Sequence, residues 1–442
     1  MFASLLDLVG WAAFRAPSEL IRRFADVRTR LGELPAHTRI LVLTSFLWTL
    51  PFAFEVVYLR IFMREQGLTE LQIGAISSTQ VLFQLAGSFC GGFIADRVGW
   101  KNALIWIDLI LWPSAMLSYA NADSYGGFML GACIEGAQWM VIPAWTSLLV
   151  AGTPPSKRPF LFAFSGLHFM GGGLIVPLLA PMIKAWGVSG ASRVVFSVGA
   201  SLMAVGVLVR WRMVKDMTVR HRLAGRASGF GRFIHGHLTA FRTIVHRPGL
   251  RLMFMYQVVI RTALIVGITY SYLFLTDPRG LALGHAQVAV LPMINSAMVV
   301  VTLLFVNRFI TLASIHRFFY LGLAFRMSYL VALILAPPGA IGLMMGVMVV
   351  EGLGFGILWA TTSAYWANQM TDAERPHITA LANVLIMMLS MPAPVLAGAL
   401  YGSNPRFPFL MMLVLFVVAL GLQVWMDFME RKRGSGALLE GS

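Results

Sequence analysis

Twelve runs of apolar residues, six on each side of a basic gap, constrain this 442-residue chain more than any other feature. The first six lie at about Ile40–Phe62, Leu71–Ala95, Ala103–Ala120, Tyr125–Val150, Phe160–Trp186 and Val194–Val209. The second six lie at about Leu252–Leu275, Ala286–Val306, Phe318–Leu335, Ile341–Trp366, Ile378–Leu400 and Phe407–Phe428. Each is long enough to cross a bilayer with some tilt, and prolines inside them are tolerated where neighbouring helices satisfy the freed backbone. Only 12% of the residues are charged against 58% apolar, whereas a soluble domain carries roughly 25% charged residues. A soluble enzyme, a disordered chain and a disulfide scaffold are thereby excluded. Cys90 and Cys133 both fall in apolar runs and imply no disulfide framework.

The net charge of +15 raises the question of nucleic acid. Counted on alternating sides of the spans, 26 Lys and Arg fall on the side of the N-terminus and 6 on the other. That split is the positive-inside pattern, with both termini cytoplasmic and attraction to anionic lipid as a by-product. Nucleic-acid binding has no separate support. Residues 1–38 read as a cytoplasmic segment in which Leu20, Ile21, Phe24, Val27 and Leu31 recur at helical spacing among arginines, an amphipathic helix lying on the membrane. The remaining divisions are a six-helix bundle over 39–212, a basic linker over 213–248, a second bundle over 249–430 and a tail over 431–442.

The halves repeat. Glu135–Gly136 lines up with Glu351–Gly352, and Arg158–Pro159 with Arg375–Pro376, at separations of 216 and 217 residues. Asp108 falls opposite Arg326. A parallel repeat of this kind relates two bundles by an axis along the membrane normal.

Between the second and third runs the chain reads GGFIADRVGWKN, Gly91 to Asn102. Gly92 would permit close helix contact, Gly99 a tight turn, and Asp96 would accept charge-assisted hydrogen bonds. This resembles the loop signature of the major facilitator superfamily, matched at Gly92, Asp96, Arg97, Gly99 and Lys101, with Trp100 where arginine is usual. The resemblance covers about Ile40 to Phe428 and implies an all-α membrane protein of twelve helices in two pseudo-symmetric bundles. It further implies that Asp96 and Arg97 latch the halves on the cytoplasmic side. The span-4 and span-5 motifs of drug/proton antiporters are absent: Ala132 and Glu135 stand where that subfamily has arginine and glutamine.

Ionisable groups inside spans cost roughly 2.5–3.5 kcal/mol each on insertion scales and mark cavities or partners. Six occur here: Glu55, Asp108, Glu135, Arg261, Arg326 and Glu351. Spans 1, 4, 7 and 10 line the cavity of the family that the chain resembles, so Glu55, Glu135 and Glu351 become the proton-coupling candidates. Asp108 and Arg326 are expected to be structural. Helical spacing surrounds these charges with Tyr58, Gln138, Trp139, Gln257, Tyr272 and Phe355, which with Arg261 form the expected substrate wall. Three carboxyls against one arginine, Arg261, would leave at least two carboxyls without a permanent partner. Arg261 either anchors an anionic group of the substrate or neutralises a glutamate. His168 is a further polar group in span 5, read first as a packed residue.

No zinc, nucleophile or cysteine/histidine ligand spacing is present, so neither an enzyme, a cofactor nor a metal site is expected. The leading expectation is a multi-pass transporter of the plasma (cell inner) membrane that moves a small organic solute with a proton. A lipid or lipophilic-compound flippase, and a transport-inactive receptor or membrane enzyme, are the alternatives. Oligomeric state is not legible.

Overall fold

The computed structural model of the protein describes residues 28–215, 239, 241–306, 309–311, 314–371 and 374–439. Most of the expected amphipathic N-terminal helix, the linker over 216–238 and the end of the tail lie outside the described residues. In the first half the helices are α1 (Ala36–Ser45), α2 (Thr49–Glu65), α3 (Glu70–Val98), α4 (Trp100–Ala120), α5 (Tyr125–Ala137), α6 (Ile142–Val150), α7 (Arg158–Met170) and α8 (Ala180–Met213). The second half holds α9 (Pro248–Thr276), α10 (His285–Val288), α11 (Val290–Val301), α12 (Ile315–Leu335), α13 (Ile341–Asn368), α14 (Arg375–Ser390), α15 (Ala393–Ser403) and α16 (Phe407–Leu439). The chain is an all-helical membrane protein, and every one of the twelve apolar runs lies in helix.

By length and composition, nine helices among the described residues can cross a bilayer, with His285–Val301 as a shorter apolar one. The difference from twelve has local causes. A 3₁₀ turn over Gln138–Val141 divides the fourth run, and a π-helical stretch over Thr302–Val306 ends the eighth. The fifth and sixth runs merge, because the chain reverses on the single residue Gly187 (φ 70°) instead of through a loop. Only glycine adopts that conformation without strain.

The end of the molecule at which α8 stops and α9 starts is called the linker end, and the opposite one the far end. Small residues let the helices touch. A Cβ on Gly136 of α5 would sit 2.5 Å from the Gln80 carbonyl of α3, and one on Gly352 of α13 would sit 2.6 Å from the Asn295 carbonyl of α11. The aligned glycines of the repeat thus make equivalent contacts in the two halves. At the signature loop the reading needs correction. A Cβ on Gly92 would meet nothing, whereas Gly91 lies against the main chain of Met140 and Gly87 would meet the Ala137 carbonyl at 2.8 Å. Gly99 behaves as expected: its φ of 89° separates α3 from α4.

Hydrogen bonds and ion pairs that join described residues of the two halves lie at the far end. There α3 begins with a capping box, Thr69 and Gln72 exchanging hydrogen bonds, which fixes Glu70 in the first turn. Arg64 donates to Asp277 at 2.6 Å and lies 3.7 Å from Glu70, while Arg279 donates to Glu70 at 2.6 Å. Tyr401 and the Arg279 amide donate to Asp277 at 2.9 and 2.8 Å. Nearby, Tyr58 donates to the His285 carbonyl at 2.9 Å, and the Tyr270 hydroxyl lies 3.0 Å from the Glu70 carbonyl and 2.9 Å from that of Pro394. Gly74 against Pro394, and Gly173 against Pro292, bring backbones together around this network. Deeper in, Val81, Leu85 and Trp139 of the first half pack with Ile265, Met387 and Met391 of the second. Together these contacts form a seal between the halves.

Burial alone would raise the carboxyl of Asp277, but the hydrogen bonds from Arg64, the Arg279 amide and Tyr401 outweigh it and hold the group below its ordinary value. A lowered carboxyl pKa stabilises the closed arrangement fully above the ordinary value of about 3.9 and loses that contribution as pH falls through the lowered one. Amide protection factors over residues 277–284, with the intrinsic pH dependence of exchange divided out, are therefore expected to stay unchanged from pH 8 to pH 5, and to fall by about tenfold or more in Asp277→Asn, which removes charge-assisted hydrogen bonds. The glycine contacts give a second test. Gly91→Val should lower stability by about 1–3 kcal/mol through overpacking, read as a lower melting temperature in detergent. Gly92→Ala should leave the melting temperature unchanged.

Candidate functional site

The first half buries a cluster of four polar side chains. Glu55 stands on α2 and Arg60 five residues further along; Glu135 stands near the end of α5 and Tyr119 near the end of α4. All four are buried. The Tyr119 hydroxyl donates to Glu135 Oε2 at 2.6 Å, and Gly131 leaves room for the Tyr119 ring. Arg60 Nη1 lies 3.5 Å from Glu55 Oε1, and the Glu55 and Glu135 carboxyls are neighbours within the cluster. Two carboxylates offer only acceptors, so a hydrogen bond between them requires a proton on one. The guanidinium of Arg60 is under-satisfied, with Nε and Nη1 lacking hydrogen-bond partners, and Gln138 Oε1 is also buried without one.

The corresponding place in the second half holds an ion pair instead. Arg326 of α12 contacts Glu351 of α13 directly. The guanidinium lies 5.3 Å from the Phe416 ring and 6.0 Å from those of Phe355 and Tyr329. Gly354 keeps α13 close: a Cβ there would sit 3.2 Å from the Arg326 amide nitrogen. Glu351 Oε2 has no hydrogen-bond partner.

These pairs correct the charge inventory drawn from the sequence. Three carboxyls do not face Arg261 alone, because Arg60 joins Glu55 and Arg326 joins Glu351. Arg60, a border residue by run length, is buried within α2. Arg326, expected to be structural, pairs with the span-10 glutamate. Asp108 is paired by Arg210 at 2.9 Å, whose remaining donors meet Thr44, Ser45 and the Leu41 carbonyl, with the Trp48 ring 4.3 Å away. That assembly binds α1 to α4 and α8 and fits a structural role.

The other expected residues separate into groups. Trp139 belongs to the apolar part of the seal, and Tyr58 to its hydrogen-bonded part. Arg261, Gln257 and Tyr272 are half-buried on α9. Phe355 stacks on Trp359 at 6.1 Å. In the signature loop, Arg97 is exposed and lies 4.0 Å over the Phe93 ring of its own helix, and Lys101 is half-exposed. The side chains of Asp96 and His168 lie outside the described residues. Tyr119 and the far-end ion pairs escape the sequence reading; a tyrosine at an ordinary helix end and charges in short loops carry no signal of their own. Among the described residues no three His, Cys, Asp or Glu side chains group to hold a metal, and both cysteines are free.

Comparison with known proteins accords with this architecture. At 27% identity, 139 residues of the chain align with the quinolone resistance protein NorA of Staphylococcus aureus; they make up 31% of the chain and span 36% of that protein's length. The fold matches the crystal structure of the nucleoside transporter NupG with a TM-score of 0.68 at 14% identity, covering 89% of this chain and 99% of that one. It also matches a bacterial homologue of the human lysosomal transporter Spinster in an inward-facing, unoccupied conformation, with a TM-score of 0.66 at 13% identity over 88% and 96% of the two chains. The family model described as Major Facilitator Superfamily matches residues 40–386. The chain belongs to the Major Facilitator Superfamily, a family of membrane transporters rather than enzymes.

Proposed function

We propose that the protein is a proton-coupled secondary transporter of a small organic solute, working by alternating access in the plasma (cell inner) membrane with the linker end in the cytoplasm. The positive-inside count supports the orientation, and the concentration of inter-half bonds at the far end supports a state closed there. The single observation that carries proton coupling is the burial of two neighbouring carboxyls, Glu55 and Glu135, beside one arginine. In this reading the pair shares one proton inside the first half, with Tyr119 donating to Glu135 and Arg60 facing Glu55. A buried group that holds a proton in one arrangement of the halves and releases it in another couples the proton gradient to the movement. Glu351, held by Arg326, serves in this reading as a fixed counter-charge. The signature residues Gly92, Asp96, Arg97, Gly99 and Lys101 remain the proposed linker-end latch, made when the far end opens.

Two measurements test the reading. In proteoliposomes carrying a solute found by thermal-shift screening, Glu135→Gln should preserve counterflow exchange and abolish accumulation driven by a pH gradient. Accumulation equal to that of the unmodified protein would reject proton coupling through this pair. Infrared difference spectra on a pH jump need no solute: the protonated-carboxyl band should be present in the unmodified protein and lost in Glu55→Gln/Glu135→Gln.

A further inference from the structure

The arginines buried among the helices are matched by carboxylates: Arg60 by Glu55, Arg210 by Asp108 and Arg326 by Glu351. Arg261 is different. Half-buried on α9, it forms no hydrogen bond or ion pair with any described residue. An arginine does not shed its proton, so its charge persists and calls for an anion.

Its position says where that anion would come from. Residues four apart share a helix face, and Ile265, one turn toward the far end, packs into the apolar seal with Val81, Trp139 and Met387. Arg261 therefore lies on the side of α9 that faces the first half, one turn to the linker side of the seal. Gln257, a further turn along the same face, has its Nε2 buried without a partner. This face carries a guanidinium and an unfilled amide donor one and two turns from the seal that includes Trp139, and no carboxylate among the described residues pairs with Arg261.

We infer that the transported solute is an organic monoanion, a carboxylate on an apolar or aromatic body, whose oxygens bind the Arg261 guanidinium and the Gln257 amide while the body packs under Trp139. A single guanidinium matches a single negative charge, and its planar fork fits a carboxylate bidentately. A phosphate monoester, with about −1.5 to −2 charge at neutral pH, would leave charge unanswered. The inference rests on the transport reading for its meaning, since the solute is what that site would carry. Its binding test does not need proton coupling.

The probes are benzoate, phenylacetate and indole-3-acetate, each set against its neutral amide and its amine analogue. Thermal stabilisation of the purified full-length protein is read at constant pH and ionic strength. The carboxylates are expected to stabilise the protein in a saturable manner, the amides and amines not. Arg261→Gln should weaken apparent carboxylate affinity about tenfold or more, the loss of a charge-assisted hydrogen-bonded pair. Arg261→Lys, which keeps the charge without the fork, should retain an intermediate affinity and shows that the site is otherwise folded. Stabilisation by the neutral or cationic analogues alone, no stabilisation by any carboxylate, or full carboxylate affinity in Arg261→Gln would each overturn the inference. Glu135→Gln separates the two readings: carboxylate stabilisation that survives it while gradient-driven uptake also survives removes proton coupling and leaves the anion site standing.

Discussion

Placing charge in hydrocarbon is the constraint on which the rest of this structure depends. Arginine stays charged at any depth, so each one among the helices must find an answering group or a route to water. Breaking such a pair strands the other charge at a cost of about 3–5 kcal/mol. Three pairs follow from that rule, and two of them join different helices: α4 with the distant α8 through Asp108 and Arg210, and the consecutive α12 and α13 through Arg326 and Glu351. The pair within α2 differs, because Glu55 has a second buried carboxyl, Glu135, as a neighbour.

The two halves share a scaffold and differ in what it carries. Gly136 and Gly352 bring the span-4 and span-10 helices against α3 and α11 in the same manner, and each is preceded by a glutamate. In the first half that glutamate meets a tyrosine and another carboxyl; in the second it meets an arginine. Equivalent backbone positions have thus been given different electrostatic surroundings, a tyrosine hydroxyl on one side and a guanidinium on the other. The repeat supplies the geometry, and individual side chains supply the difference between the halves.

Much of this was legible beforehand. Apolar run length located the helices, because a bilayer demands about 20 residues in a row. The repeat of Glu–Gly pairs located the equivalent contacts. What periodicity could not show was pairing across helices: Arg326 looked peripheral since one span says nothing about which neighbour its side chain reaches. Arg60 lies near the end of an apolar run, where run length does not show that the side chain is buried beside Glu55. The assignment of close contact to Gly92 instead of Gly91 is a one-residue error in helix phase, about 100° of rotation. The reversal at Gly187 falls in the gap between the fifth and sixth runs, and what run length did not show is that a single residue makes the turn.

The tyrosine at the junction of the halves has a mechanical consequence. A hydroxyl has one proton to give, yet the Tyr270 oxygen sits within reach of two carbonyls, Glu70 across the junction and Pro394 in its own half. When the halves part there, the proton has a second home waiting a short rotation away, so the motion never leaves a naked donor in the oily interior. The joint can be firm at rest and still cheap to undo, as a hand that already holds the next rung can let go of the last.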